Sequence, residues 1–242
     1  MNRERIIEGV FNYCTRRCEL CPFTGRCTLY QSEREHLRRH PVGDAAERID
    51  DSFAETWRLL EAWCKREGLD FEQIRRDAEH DDSGAALERV EAAVRADPLQ
   101  QLSSAYTHAA FRVVDAMASA RSMHDWSSEV EGALDTISWH AGMLSAKVHR
   151  ALHGLAEREL FRGDDPVQND WNGSAKIARI VIEESTRAWQ VLLREGQAPE
   201  DSPLVELVAL ISRVDTSLAE RFPEAMHFIR PGFDAPAATR VL

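Results

Sequence analysis

Apolar residues recur at steps of three and four along most of this chain, the spacing that gathers side chains on one face of an α-helix. The stripe Ile49, Phe53, Trp57, Leu60 and Cys64 predicts a helix over 44–67, capped by Asp44 and ended by Gly68. A shorter one over 70–80 closes at Asp81-Asp82-Ser83-Gly84. Asp97-Pro98 opens a long helix, with proline where its missing N–H costs least. Its stripe is Leu99, Leu102, Tyr106, Ala109, Val113, Met117 and Ala120. The longest helix is expected over 127–161 on Leu134, Ile137, Ala141, Leu144, Val148, Leu152 and Leu155. That near-heptad signals near-parallel helix packing, and Gly163-Asp164-Asp165-Pro166 breaks it.

Asn172-Gly173-Ser174 starts a further helix with Ile177, Val181, Glu184, Ala188, Trp189 and Leu192 on one side, stopped by Gly196. The last, over 203–222, carries Leu204, Leu207, Ile211, Val214 and Leu218. A short polar helix over 32–39 precedes all of these and stops at Pro41 and Gly43. The tail from Pro223, holding Pro231, Gly232 and Pro236, reads as an extension that frays at its end. No alternation of strand period bounded by hairpin turns occurs. The expected fold is therefore all-α: an up-and-down bundle of four to five long helices with a small N-terminal Cys-rich metal-binding segment. The expected division is 1–43 for that segment, 44–222 for the bundle and 223–242 for the extension.

Composition narrows the class. The chain has 242 residues, 43% of them hydrophobic and 29% charged, as in globular proteins. No apolar run approaches the roughly 18 residues of a membrane span. The opening residues lack the apolar stretch of a secretory signal, so a cytoplasmic protein is expected. The net charge is -11, yet residues 1–40 hold 8 Arg against 5 Glu. An acidic body argues against nucleic acid or an anionic membrane as partner, since phosphate binding needs clustered positive charge. The basic head is left to touch an anion or an acidic partner, or simply to solvate a small cysteine module.

Cysteine is the informative residue. Cys14, Cys18, Cys21 and Cys27 lie together and Cys64 stands alone on an apolar stripe, where it reads as core. In a reducing compartment, clustered thiolates hold metal more often than they form disulfides. Ordinary buried thiols are the plain alternative, but the segment has too little apolar sequence to bury four. The short, uniform spacing and the Cys21-Pro22 step favour a [4Fe–4S] cluster over zinc, whose structural sites usually pair two knuckles across a longer loop. Cys14-x3-Cys18-x2-Cys21 also matches the radical-SAM triplet. That chemistry generally sits on a parallel βα barrel, and no βα alternation follows here.

Three stretches carry a resemblance: Trp139-His140 through Lys147-Val148-His149-Arg150-Ala151-Leu152, Asp170-Trp171-Asn172-Gly173-Ser174-Ala175-Lys176, and Phe222-Pro223-Glu224-Ala225 with Phe228-Ile229-Arg230-Pro231-Gly232-Phe233-Asp234. With Cys18-x2-Cys21-Pro22-Phe23 and Arg26-Cys27, they resemble an uncharacterised family of bacterial all-helical proteins with an N-terminal four-cysteine cluster. The resemblance implies helices and supplies no activity.

Other candidate ligands are Glu33-x2-His36 with His40, Asp77-x2-His80, Glu224-x2-His227, and His149-x3-His153-x3-Glu157, with Glu183 and Glu184 near a partner stripe. Inward Glu and Glu-x2-His pairs on helices hold paired metals in some bundles. Here both Glu-x2-His matches fall outside the expected bundle, so solvated or hydrogen-bonded side chains are the simpler reading. His140 and His108 read as satisfied near-core histidines. Asn172-Gly173-Ser174-Ala175-Lys176 at a helix start reads either as a cap or as a cradle for phosphate or carboxylate.

The expectation is a cytosolic protein with a metal centre on Cys14, Cys18, Cys21 and Cys27, a [4Fe–4S] cluster for electron transfer or redox sensing. The alternative is a structural-zinc helical adaptor that binds a protein partner. A dimetal helical-bundle oxidoreductase is a minor third. No catalytic residue or substrate follows from the sequence.

Overall fold

The computed structural model describes residues 6–39, 45–79, 84–120, 126–158, 165–195 and 204–234. Among them are eight α-helices: α1 (Thr28–Arg39), α2 (Ala45–Glu67), α3 (Phe71–Glu79), α4 (Gly84–Ala96), α5 (Pro98–Ala120), α6 (Ser128–Glu157), α7 (Asp170–Arg194) and α8 (Leu204–Arg221). No strand occurs among the described residues, so the fold is all-α. Several expected features lie outside them. These are Asp44 with the breakers Pro41, Gly43 and Gly163-Asp164, the Asp81-Asp82-Ser83 turn, Phe161, Gly196, Pro203, His40, His80 and the tail beyond residue 234.

The chain divides into two compact units, one of residues 1–6 and 22–88, the other of residues 7–21 and 89–242. This division crosses the boundaries expected at residues 43 and 222.

In the second unit, α6 packs along α7 and α5, and α8 packs on α5 and α7. The stripes meet there as their spacing requires. Ile137, Ala141, Leu144 and Val148 of α6, Ile177, Val181, Trp189 and Leu192 of α7, and Ile211, Val214 and Leu218 of α8 are fully buried. Each large aliphatic side chain so buried contributes about 1.5–3 kcal/mol relative to exposure. Tyr106 of α5 is also buried, and its hydroxyl accepts the Trp189 Nε1–H at 2.9 Å. That bond gives the buried indole N–H its acceptor inside an apolar core.

Local chemistry sets the helix starts. Ser127 caps α6 by accepting the Val130 N–H at 3.3 Å. Asn169 caps α7 by accepting the Asn172 N–H at 2.9 Å. The α7 start thus lies ahead of Asn172-Gly173-Ser174, and those residues are inside the helix and buried. The Asn172 side chain turns back to donate to the carbonyls of Pro166 and Val167 at 3.0 and 3.1 Å. α1 likewise begins at Thr28, earlier than the expected 32, and α4 fills a stretch for which no helix is specified above. Leu87, Val90 and Val94 carry the α4 period, and only Val94 is buried.

The first unit is described by itself. Ile49, Phe53, Trp57 and Leu60 are exposed, at 55%, 64%, 54% and 37%, and of that stripe only Cys64 is buried. Within the unit, α3 packs on α2, with Trp57 and Phe71 edge to face at 6.2 Å. A nine-residue helix is too short to cover a stripe that runs along 23 residues. Within its own unit the α2 stripe is therefore left uncovered except at Cys64.

Replacing Tyr106 by Phe removes the acceptor for the buried indole N–H. We expect a loss of about 1–3 kcal/mol, read as a lower urea midpoint at unchanged slope.

Candidate functional site

Three of the four clustered cysteines sit on residues 7–21, a segment without regular helix that lies against α6 and α7. Val10 is buried, and directional contacts hold the rest. Lys147 Nζ donates to the Asn12 carbonyl at 2.9 Å, and Trp139 Nε1 donates to the Thr15 carbonyl at 2.8 Å. Arg17 pairs with Asp135 at 2.6 Å and with Glu19 at 2.7 Å. The Tyr13 hydroxyl donates to Asp170 at 3.0 Å, and Arg150 grips the same carboxylate through two bonds of 2.8 Å. Burial, and then the Asp170 charge, push the Tyr13 phenol up to about 12, so it stays a donor.

The Tyr13 ring rests on Phe228 at 4.6 Å and on the backbone of Gly173. A Cβ at Gly173 would overlap the Tyr13 ring and stand 2.8 Å from Phe228 Cζ. Glycine is required there by the close approach of a ring to a helix backbone.

The tail closes the same corner. Lys176 Nζ donates to the carbonyls of Phe228 at 2.6 Å and Met226 at 3.2 Å, and pairs with Asp234 at 2.7 Å. Asp234 also accepts from Arg230, whose guanidinium lies 4.9 Å from the Phe233 ring centroid. Burial would raise the Asp234 acid, but the Arg230 and Lys176 hydrogen bonds hold it well below the usual carboxylate range. Gly232 takes a left-handed φ of +79° beside Ile7. The cradle reading of Asn172-Gly173-Ser174-Ala175-Lys176 is therefore wrong: the lysine is spent on main-chain carbonyls and a carboxylate, and the amides lie inside the helix.

The thiols stand as follows. Cys14, Cys18, Cys21 and Cys27 are half-buried and reduced, Cys27 at the N-terminal end of α1 in the first unit. Cys18 and Leu20 bound a 3-10 turn. Between Cys14 and Cys18, Arg16 takes φ +57°, a left-handed conformation that non-glycine residues seldom adopt. Burial pushes the Cys14 thiol up. The Arg16 N–H, then the Arg16 and Lys147 charges, oppose this, and Cys21 is close enough to add to the rise. The Cys14 thiol itself donates to the Phe11 carbonyl at 3.5 Å.

No three His, Cys, Asp or Glu side chains among the described residues converge as an assembled metal site. The donor chemistry of the cysteine segment fits a thiophilic metal, while the side chains stand apart from the geometry of a filled one.

The other candidates are paired separately. His149 Nε2 meets Glu91 at 3.1 Å, His153 Nδ1 meets Glu157 at 3.1 Å, and His227 Nδ1 meets Glu224 at 2.9 Å. Glu183 pairs with Arg187. Glu33 and His36 share α1.

His140 departs from expectation. It is 1% exposed, and neither ring nitrogen has a hydrogen-bond partner. Its Nε2 lies 3.2 Å from Glu184 Oε2, out of line for a hydrogen bond. Burial, then the Arg17 charge, push the imidazole down to about 4, against a smaller opposite pull from Asp135. Glu184 is raised, first by burial. The sequence signal for this histidine is its place beside the α6 stripe, next to Ala141.

His140 makes stability depend on pH. A depressed folded value means the unfolded chain binds the extra proton, so stability falls as pH drops from about 6.5 to about 4. The loss attributable to this ring is on the order of 3 kcal/mol. Urea unfolding at pH 7 and pH 4.5 should show a smaller difference in His140→Gln than in the parent protein. In a second experiment, Gly173→Ala should destabilise by about 1–3 kcal/mol through overpacking, with Tyr13→Ala in the same chain recovering part of it.

Compared with protein families, curated proteins and solved structures, the chain matches no family, no curated protein and no solved structure.

Proposed function

We propose that the cysteine segment holds a metal centre through the thiolates of Cys14, Cys18, Cys21 and Cys27. Cys27 enters this set by its distance along the chain. One observation carries the reading. Arg16, left-handed at φ +57°, bends the chain between Cys14 and Cys18 so that three thiols share one short turn-rich segment. Burial leaves the Cys14 thiol raised, and the Arg16 N–H with the Arg16 and Lys147 charges oppose that rise, as a bound cation would do more strongly. Backbone strain maintained at such a point is a cost that a bound ligand would justify. Four thiols within fourteen residues supply the donors.

A [4Fe–4S] cluster is the first form of this proposal. With four thiolate ligands it would exchange an electron and leave no iron open to substrate, which suits electron transfer or redox sensing. Residues 7–21 would hold three of its ligands, Cys14, Cys18 and Cys21, against α6 and α7 through Lys147, Trp139 and Asp135. The up-and-down bundle is part of the same reading, supported by the packing of α6 with α7 and α5 and of α8 with α5 and α7. In the second form the metal is a structural zinc, and the protein is an adaptor for a protein partner.

Purification without oxygen, followed by counts of iron, sulfide and zinc, tests the proposal. About four irons with four sulfides and a brown colour select the cluster. About one zinc in a colourless protein selects the adaptor. Cys14→Ser with Cys18→Ser should lose either metal. Preparations that bind neither in stoichiometric amount, even after anaerobic reconstitution, would overturn the whole reading.

A further inference from the structure

We infer that Cys18 and Cys21 are a dithiol pair that closes to a reversible disulfide by exchange with a low-molecular-weight disulfide, and that the closed form releases the metal. The release of metal rests on the thiolate-centre reading; the pairing of the two thiols does not.

The local backbone sets the pair. The Leu20 N–H donates to the Arg17 carbonyl at 3.1 Å and the Cys21 N–H to the Cys18 carbonyl at 3.2 Å, and these two bonds close the 3-10 turn Cys18–Leu20. A 3-10 turn completes a revolution in three residues, so residues i and i+3 stand one above the other. Cys18 and Cys21 therefore share one side of the turn. The residues between them take other directions: Leu20 is 71% exposed, and Glu19 accepts from Arg17. A turn of this kind also holds its end Cα atoms within about 7 Å, and disulfides span about 4.4–6.8 Å. Rotation about side-chain bonds is then enough to join the sulfurs, with the turn left as it is.

No other two thiols among the described residues are so placed. Cys14 is set apart from Cys18 by the left-handed Arg16, and its thiol donates back to the Phe11 carbonyl at 3.5 Å. Cys27 ends a turn of its own, with Thr24 three residues before it, and belongs to the first unit. Cys64 is buried. Cys18 and Cys21 are half-buried and reduced, so a small reagent can reach them. The stretch leading into the pair is fixed on α6 by Arg17 on Asp135 and by the Thr15 carbonyl on Trp139. Two thiols on one anchored turn meet each other far more often than either meets a second molecule. A disulfide on such an accessible turn is of the labile kind, which a thiol reductant reopens.

The exchange balances with oxidised glutathione as the small disulfide. One thiol gives its proton to solvent, and its sulfur attacks a glutathione sulfur, forming a mixed disulfide and releasing one glutathione thiolate. The second thiol gives up its proton and attacks the protein sulfur of that mixed disulfide, releasing the other glutathione thiolate. The two thiolates take up the two protons. Cys18 and Cys21 are together oxidised by two electrons, and glutathione disulfide is reduced to two thiols. The closed pair withholds two of the four thiolates from a metal.

Reduced, chelator-treated full chain is incubated with oxidised glutathione, quenched with acid, alkylated and cut with trypsin. Arg17 and Arg26 bound a peptide that carries both cysteines, while Cys14 and Cys27 fall on its neighbours. We expect the 18–26 peptide free of alkyl and glutathione groups and lighter by two hydrogens, with Cys14, Cys27 and Cys64 alkylated. Cys21→Ser should stop at glutathione on Cys18. Cross-links through Cys14 or Cys27, or an 18–26 peptide that keeps both thiols or carries glutathione on both, would overturn the pairing, and the unmutated chain alone decides this. One equivalent of Zn2+ bound beforehand should slow closure by about tenfold or more, because a thiolate held by metal does not attack. Closure at an equal rate with Zn2+ bound would overturn the release of metal and leave the dithiol standing. A chain that binds Zn2+ through its thiolates and never closes when stripped of it would overturn the dithiol and leave the thiolate centre standing.

Discussion

A buried ammonium governs the corner of the molecule where the chemistry lies. Lys176 sits in the second turn of α7 at 9% exposure, where a lone cation would be strongly disfavoured. It is tolerable because two main-chain carbonyls and the Asp234 carboxylate surround it. These acceptors all come from the tail after α8, so the tail must lie across α7 for the lysine to be buried at all. Removing one partner would leave a charge stranded in the interior, which is costlier than never having buried the pair.

That constraint propagates through direct contacts. The tail placed by Lys176 presents Phe228, on which Tyr13 rests, and Gly232, against which Ile7 packs. Tyr13 in turn needs the bare backbone of Gly173 and the carboxylate of Asp170, itself held by Arg150. The two ends of one unit are thus tied over the first turns of α7. This is why that stretch of α7 is buried almost all round, from Asn172 to Ala178, rather than along one stripe. The thiols ride on the segment so tied. A loop with little apolar sequence is held in place by hydrogen bonds to side chains of α6, and Arg16 can be kept in an unfavourable conformation within it.

The long helices of the second unit were legible because period and burial agree there. Leu134 through Leu152, Ile177 through Leu192 and Leu204 through Leu218 read as inward faces and are inward faces. The stripe on α2 has the same period and is exposed, apart from Cys64. Periodicity reports that a helix has an apolar side, and says nothing of what covers it. The stretch Asn172 to Lys176 shows the converse. Its residue types suit a helix start open to an anion, but the tail and the N-terminal segment, distant in sequence, cover it.

The amino-acid sequence by itself determined that this chain is helical, where its long core helices run, and that four thiols crowd one short segment. These follow from local spacing, which acts over a few residues and needs no partner. Only the tertiary structure decided that Lys176 faces carbonyls rather than a ligand, that Gly173 is a seat for a tyrosine ring, and that His140 is buried without a hydrogen bond beside the cysteine segment. Each depends on groups some fifty to 160 residues apart in sequence meeting in space, and no pattern within one helix encodes which distant surface will arrive to cover it.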